Sequence, residues 1–297
     1  MTRAGYIDPN WPNPNGPHDA RIIIYGYVPS FALCIIAVVL FVLAFLVHAG
    51  QIAKYRTWYF IPLVVGLGFE VVGYVSRSLS AKKDPYNITF FVLQYFFIVT
   101  APIFITASIY VCLNKLIAWA QQSGYDAEQR HWLHPRIFLW GFVTCDVVTT
   151  IVQIVGAALI GNRTSDGKDP TTANNILLVG LAIQTFAFTT FLVILVIFVL
   201  FVQSDRGFGP SIGAKSPFVA ALICASVLVL LRIVFRLAET SQGVFGYLMV
   251  HEAFFGVLEF APVVVAVWIL AIWHPGRCIQ VALSAEGKSA SQIRYVA

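Results

Sequence analysis

Apolar residues in this chain do not alternate with polar ones; they run in blocks. Seven blocks of membrane length stand between short polar segments, about Val28–Val47, Trp58–Val75, Ile88–Leu116, Ile137–Ile160, Asn175–Val202, Pro217–Leu237 and Tyr247–Trp273. Each meets the roughly 20 residues a helix needs to cross a bilayer. Strands of a membrane barrel would alternate in polarity over about ten residues, and these blocks do not. Backbone groups in lipid must be paired internally, so the pattern predicts an all-α fold of seven transmembrane helices. Blocks three and five are long, which predicts tilt or protruding ends.

The connecting segments, such as "QIAKYRT" and "SLSAKKDPYN", leave no room for a second folded domain. The division expected is a segment before the bundle at 1–24, the transmembrane domain at 25–276 and a tail at 277–297. The first twenty residues lack the basic start, apolar core and cleavage site of a signal peptide, so block one is expected to act as an uncleaved anchor.

Composition agrees with lipid as part of the solvent. The chain is 59% hydrophobic and 11% charged, against about 25% charged in soluble domains. The net charge of +5 comes from residues scattered in short loops, not from a basic patch with interleaved aromatics, which sets nucleic-acid binding aside. Lys and Arg number six in the loops on the N-terminal side and ten on the opposite side. The positive-inside rule therefore predicts an outer N-terminus and a cytosolic C-terminus. Two glycosylation sequons, at Asn87 and Asn162, fall on the predicted outer side, Asn87 close to the membrane. Trp58, Tyr59, Trp140, Trp273, Tyr25 and Tyr27 lie near block ends and read as an aromatic belt. None of the five cysteines lies in an outer loop, which argues against an extracellular disulfide framework.

Enzyme signals fail when tested. "GNRTSDGK" has the wrong spacing for a phosphate loop, and "GKS" at 287–289 lacks its first glycine. No Cys and His spacing suggests a metal, and no cofactor motif is present. His134 and His274 each precede proline near a block end, with no partner in view.

The residues that demand explanation are ionisable groups inside the blocks, each costing a few kcal/mol in hydrocarbon. They are Glu70 and Arg77; Asp146; Arg232, Arg236 and Glu239; and His251, Glu252 and Glu259. Spacings of three, four and seven put Glu70 with Arg77, Arg232 with Arg236 and Glu239, and Glu252 with Glu259 on shared helix faces. Those faces are expected to point into the bundle, forming a polar interior between helices two, four, six and seven. At ~1.5 Å per residue, Arg77, Arg232, Arg236, Glu239 and Glu252 fall in the outer half as a charge network. Asp146 and Glu259 fall near the midplane with no arginine at their level, and Glu70 lies between.

These same segments resemble a known family. "YGYVPS" at 25–30, His48, "EVVGYVSR" at 70–77, "QYFFIVTAPIFITASIY" at 94–110, "DVVTTIVQIVG" at 146–156, Gly180 with Gln184, "RIVFRLAETSQGVFGYLMVHE" at 232–252 and "HPG" at 274–276 are similar to the fungal lipid-translocating exporters, the RTA-like seven-helix proteins. The chain departs from the family in span seven, where "FGVLE" replaces a Tyr-x-x-Asp-like pattern. The resemblance implies a plasma-membrane protein that exports or flips sphingoid long-chain bases or related amphiphiles, with a part in resistance to membrane-active toxicants. Its partners would be membrane lipids. Asp146, Glu259 and Glu70 would receive the cationic head, and Gln94, Gln153 and Gln184 its hydroxyls. A seven-helix lipid receptor or sensor would leave the same trace. The sequence assigns neither a coupling ion nor a number of subunits.

Overall fold

The computed structural model describes residues 8, 19–20, 22–122, 135–165, 168–204, 216–243 and 245–280. Among the described residues, seven helices are long and apolar enough to cross a membrane. They are α1 (Phe31–Tyr55), α2 (Ile61–Lys82), α3 (Ile88–Gln122), α4 (Pro135–Ser165), α5 (Thr171–Ser204), α6 (Ser216–Ser241) and α7, the span Glu252–Cys278. α7 is built in pieces: Glu252–Phe254, a π-helical turn Phe255–Phe260, then Ala261–Ile272. Among the described residues the extended backbone pairing is one isolated bridge, Asp19 to Asn87.

The helix ends follow local chemistry more than hydropathy. α1 starts at Phe31 because Ser30 is extended and its Oγ accepts from the Leu33 N–H at 3.4 Å. It stops at Arg56, whose φ of +53° closes the last turn onto Ile52. α3 starts after Asn87, whose Oδ1 accepts from the Thr89 and Phe90 N–H groups at 3.0 and 3.3 Å. The sequon asparagine is thus a helix cap, while Asn162 falls within the last turns of α4. α3, α4 and α5 all outrun the apolar blocks, because backbone bonding continues into the polar interface. α7 does the reverse. Gly243 and Phe245, at φ of +78° and +67°, turn the chain away at the end of α6, and 245–250 run as turns. The seventh helix therefore starts at Glu252, not Tyr247, which moves every later residue about 7.5 Å toward the N-terminal face at ~1.5 Å per residue.

The helices form a ring in chain order, α1 returning to α7, with α3 braced across to α6. In lipid the packing is held by close fit rather than by hydrophobic burial. Two helix pairs meet through glycine. A Cβ on Gly73 of α2 would lie 2.6 Å from the Ile98 side chain of α3, and one on Gly156 of α4 would lie 2.8 Å from the Leu177 nitrogen of α5. Phe41, Tyr74 and Phe260 stack at the α1–α2–α7 junction with ring centroids 5.5 to 5.9 Å apart. The outer face is apolar, with Phe186 and Val257 standing 76% and 64% exposed, as a lipid-facing surface requires.

Candidate functional site

The in-membrane charges of α2, α6 and α7 meet near the N-terminal face of the bundle. Arg232 donates from Nη2 to Glu259 Oε1 at 2.6 Å and to the Ile98 carbonyl at 2.8 Å. One turn on, Arg236 donates to Glu239 at 2.8 Å and holds its Nε 4.0 Å from the other Glu259 oxygen. Its guanidinium lies over the Tyr95 ring of α3, 5.1 Å from the centroid. Glu70 of α2 is buried within Coulombic reach of Arg232 and Glu259, with Oε1 unpartnered.

Arg77 forms the outermost part. It donates to the Tyr27 hydroxyl at 2.7 Å and to Glu252 at 3.1 Å. The rings of Phe255, Tyr25 and Tyr27 surround the guanidinium at 4.0, 5.2 and 5.7 Å. Glu252 also accepts from the Ser30 N–H through both oxygens at 2.9 Å, tying the start of α7 to that of α1. Burial pushes the Tyr25 hydroxyl up to about 12, so it stays neutral beside the cation. Tyr25 and Tyr27 are therefore a cage for Arg77 and not part of an aromatic belt, whereas Trp58 and Trp140 are exposed as a belt requires.

Two further expectations are corrected. Glu259 does have an arginine at its level. The late start of α7 raises it to the depth of Arg232, and side chains on antiparallel helices lean toward each other's level because each points back to its own N-terminus. Helix four does not belong to this interior: α4 packs on α3 and α5. Asp146 accordingly stands apart. Its Oδ2 accepts from Thr106 at 2.9 Å and Tyr110 at 2.8 Å, both on α3, and its Oδ1 has no partner. Gln153 donates to Gln184 at 2.7 Å across the α4–α5 contact. Gln94 is buried with its Oε1 unpartnered.

A cleft of about 70 Å³ enters from the N-terminal face between α3, α4, α5 and α6. Its walls are Phe91, Tyr95, Ala157, Ile160 and Leu177, and its polar lining includes Arg236, Glu239 and Asn174. The charge network thus has one face on an accessible, mostly apolar cleft. Summed over the network, three arginines (Arg77, Arg232, Arg236) face four carboxylates (Glu70, Glu239, Glu252, Glu259). Ionised throughout, it is one positive charge short.

At the opposite face a second polar contact was missed in the sequence. His274 is fully buried, 6.0 Å ring to ring from buried His48 and packed on Phe60. His48 Nε2 meets the Val267 carbonyl at 3.0 Å, so α1 and α7 are joined here too. The residues lie far apart in sequence, and no local spacing announces the pair. Tyr27, Tyr25 and Thr106 were also missed. Thr106 and Tyr110, hydroxyls four apart in an apolar span, were the available signal. Among the described residues no group of three or more His, Cys, Asp or Glu could hold a metal, and all five cysteines are free.

Residues 63–282 match the sequence profile described as "RTA1 like protein". The chain is similar to the sphingoid long-chain base transporter RSB1 of Saccharomyces cerevisiae (strain Lalvin EC1118), 26% identical over 84% of this chain and 73% of that one. It is also similar to protoporphyrin uptake protein 1 of S. cerevisiae, 27% identical over 84% of this chain and 91% of that one. The probable lipid transporter atnI of Emericella nidulans is 27% identical over 86% of this chain and 68% of that one. No solved structure matches the chain.

Proposed function

Because the chain belongs to the RTA1-like family, we propose that it is a membrane transporter of amphiphiles with a cationic head, sphingoid long-chain bases above all. The observation that carries this reading is the charge count beside the cleft, four carboxylates to three arginines. An excess carboxylate in low dielectric must be neutralised by a proton or offset by a bound cation. An ammonium head entering the cleft supplies that charge. It meets Glu239 on the cleft wall, with Glu259 and Glu70 behind it. The tail lies along Ala157, Ile160 and Leu177 toward lipid.

The relatives' printed names speak of transport and uptake and support a non-enzymatic carrier. The loop charges support an outer N-terminus and a cytosolic C-terminus; the plasma membrane as the site and resistance to membrane-active compounds as the benefit belong to the transport reading. The transmembrane unit is taken as 25–276 and the segment beyond as a cytosolic tail. Protease protection of a C-terminal tag in intact cells, with an accessible N-terminal tag, is the expected topology result; the reverse overturns it.

Flux of a fluorescent sphinganine through vesicles holding the purified protein tests the function. Wild type is expected to move the base and to leave an uncharged analogue largely behind. Glu239→Gln is expected to slow the base about 10- to 100-fold, the worth of a hydrogen bond to a charged group. Unchanged flux in the variant overturns the head-group assignment. Saturable binding without flux in wild type points to the receptor reading instead.

A further inference from the structure

Among the described residues, Asp146 is the acid of the membrane spans with no cation beside it. Its hydrogen-bond partners are hydroxyls, Thr106 Oγ1 and Tyr110 OH, both on Oδ2. Thr106 has one proton and two acceptors in reach, Asp146 Oδ2 at 2.9 Å and the Ile103 carbonyl at 3.0 Å. The same heavy-atom geometry therefore serves two states. With Asp146 ionised, Thr106 and Tyr110 both donate to it. With a proton on Oδ2, Asp146 donates to Thr106, and Thr106 turns its own proton to Ile103. The carboxyl can gain or lose a proton with no side chain moving.

The face of α4 that carries Asp146 also reaches the cleft. Asp146, Thr150, Gln153, Ala157 and Ile160 follow at steps of four, three, four and three, so they share one face of α4. Ala157 and Ile160 are on the cleft wall. Thr150 is buried with its hydroxyl unpartnered, and Asp146 Oδ1 is likewise unpartnered. Two orphaned polar atoms thus lie one turn apart on the face of α4 that reaches the cleft about two turns further on, past the Gln153–Gln184 pair.

The geometry points to Asp146 as a proton site that is loaded when the cleft is free of cation and unloaded when a cationic amphiphile enters. This rests on the transport reading. A head group adds one positive charge to the buried interior. Loss of one proton from Asp146 restores the interior's net charge. The groups facing the carboxyl bear on its titration. α3 presents Tyr110, its own helix presents Cys145, and α5 contains no ionisable side chain. Lys115 of α3 is turned away, over the Tyr59 ring.

The test has two arms. Infrared difference spectra of the purified protein across a pH titration are expected to show a protonated-carboxyl carbonyl band that Asp146→Asn removes. In weakly buffered detergent, binding of sphinganine is expected to release about one proton more per base from wild type than from Asp146→Asn, as linkage requires. Should Asp146→Asn not fold, Thr106→Val replaces it. The ionised form then loses a donor, so the midpoint of the band is expected to move to higher pH. A band that survives in Asp146→Asn, or a midpoint unmoved in Thr106→Val, overturns the proton site. Equal proton release from wild type and Asp146→Asn overturns the coupling. Wild-type protein that shows the titrating band but binds no base leaves the proton site standing and sinks the transport reading.

Discussion

The bundle holds charge in two different ways. Between α2, α6 and α7, guanidinium groups pair with carboxylates in two sets, Arg77 with Glu252, and Arg232 and Arg236 with Glu259 and Glu239. Between α3 and α4, a single carboxyl is held by two hydroxyls and no cation. The first arrangement fixes helices in place, because the loss of any of its three arginines leaves a carboxylate in the bundle without its cation. The second costs little when the proton comes or goes. One region is built to stay as it is, and the other to change state.

Substitutions separate the two sharply. Arg232→Ala strands Glu259 and Glu70, and removing one partner of a buried ion pair costs about 3–5 kcal/mol. A large drop in melting temperature in detergent, or retention in the endoplasmic reticulum, is the expected result. Near-normal melting would mean that the network is solvated and that the contrast fails. Arg77→Lys keeps the charge but loses the planar fork and much of its stacking, at about 2 kcal/mol. Its melting curve should fall between those of Arg232→Ala and wild type. Asp146→Asn keeps the shape and one or both hydroxyl bonds, so its cost should stay near 1 kcal/mol or below. A loss as large as that of Arg232→Ala would place Asp146 among the structural charges. Thr150→Val replaces an unpartnered hydroxyl by a methyl group and should be neutral or slightly stabilising; a clear destabilisation would reveal a partner for that hydroxyl.

Hydropathy made the seven spans legible, because the polar segments between them are dense in Lys, Asp, Pro and Asn. It made the inward-facing acids and arginines legible as well, since charge in lipid has nowhere else to point. Pairings were harder to read. The partner of Glu259 depended on where α7 begins, and that depended on two residues of positive φ, Gly243 and Phe245, whose effect no apolar count registers. Tyr25 and Tyr27 could serve a belt or a cage equally well on composition. Whether Asp146 joined the other acids depended on the neighbours of α4 in the ring, which a helical pattern does not specify. His48 and His274 met for the same reason, through the closure of α1 onto α7.

The π-helical turn at Phe255–Phe260 gives α7 a spare residue. The Ala261 N–H bonds the Gly256 carbonyl, five positions back, where an ordinary turn would reach four. If the turn were drawn into plain α-helix, everything on its N-terminal side would rotate by roughly 100° and shift by about 1.5 Å. Glu252, before the turn, would swing away from the guanidinium of Arg77, while Glu259, inside the turn, would move with part of the change. The seventh helix then behaves as a ratchet with one tooth. It can release the lip of the molecule from α1 and α2. Deleting Val257, a lipid-facing residue of the turn, removes the tooth, and a protein that folds normally but no longer moves its cargo would show that the slack is used.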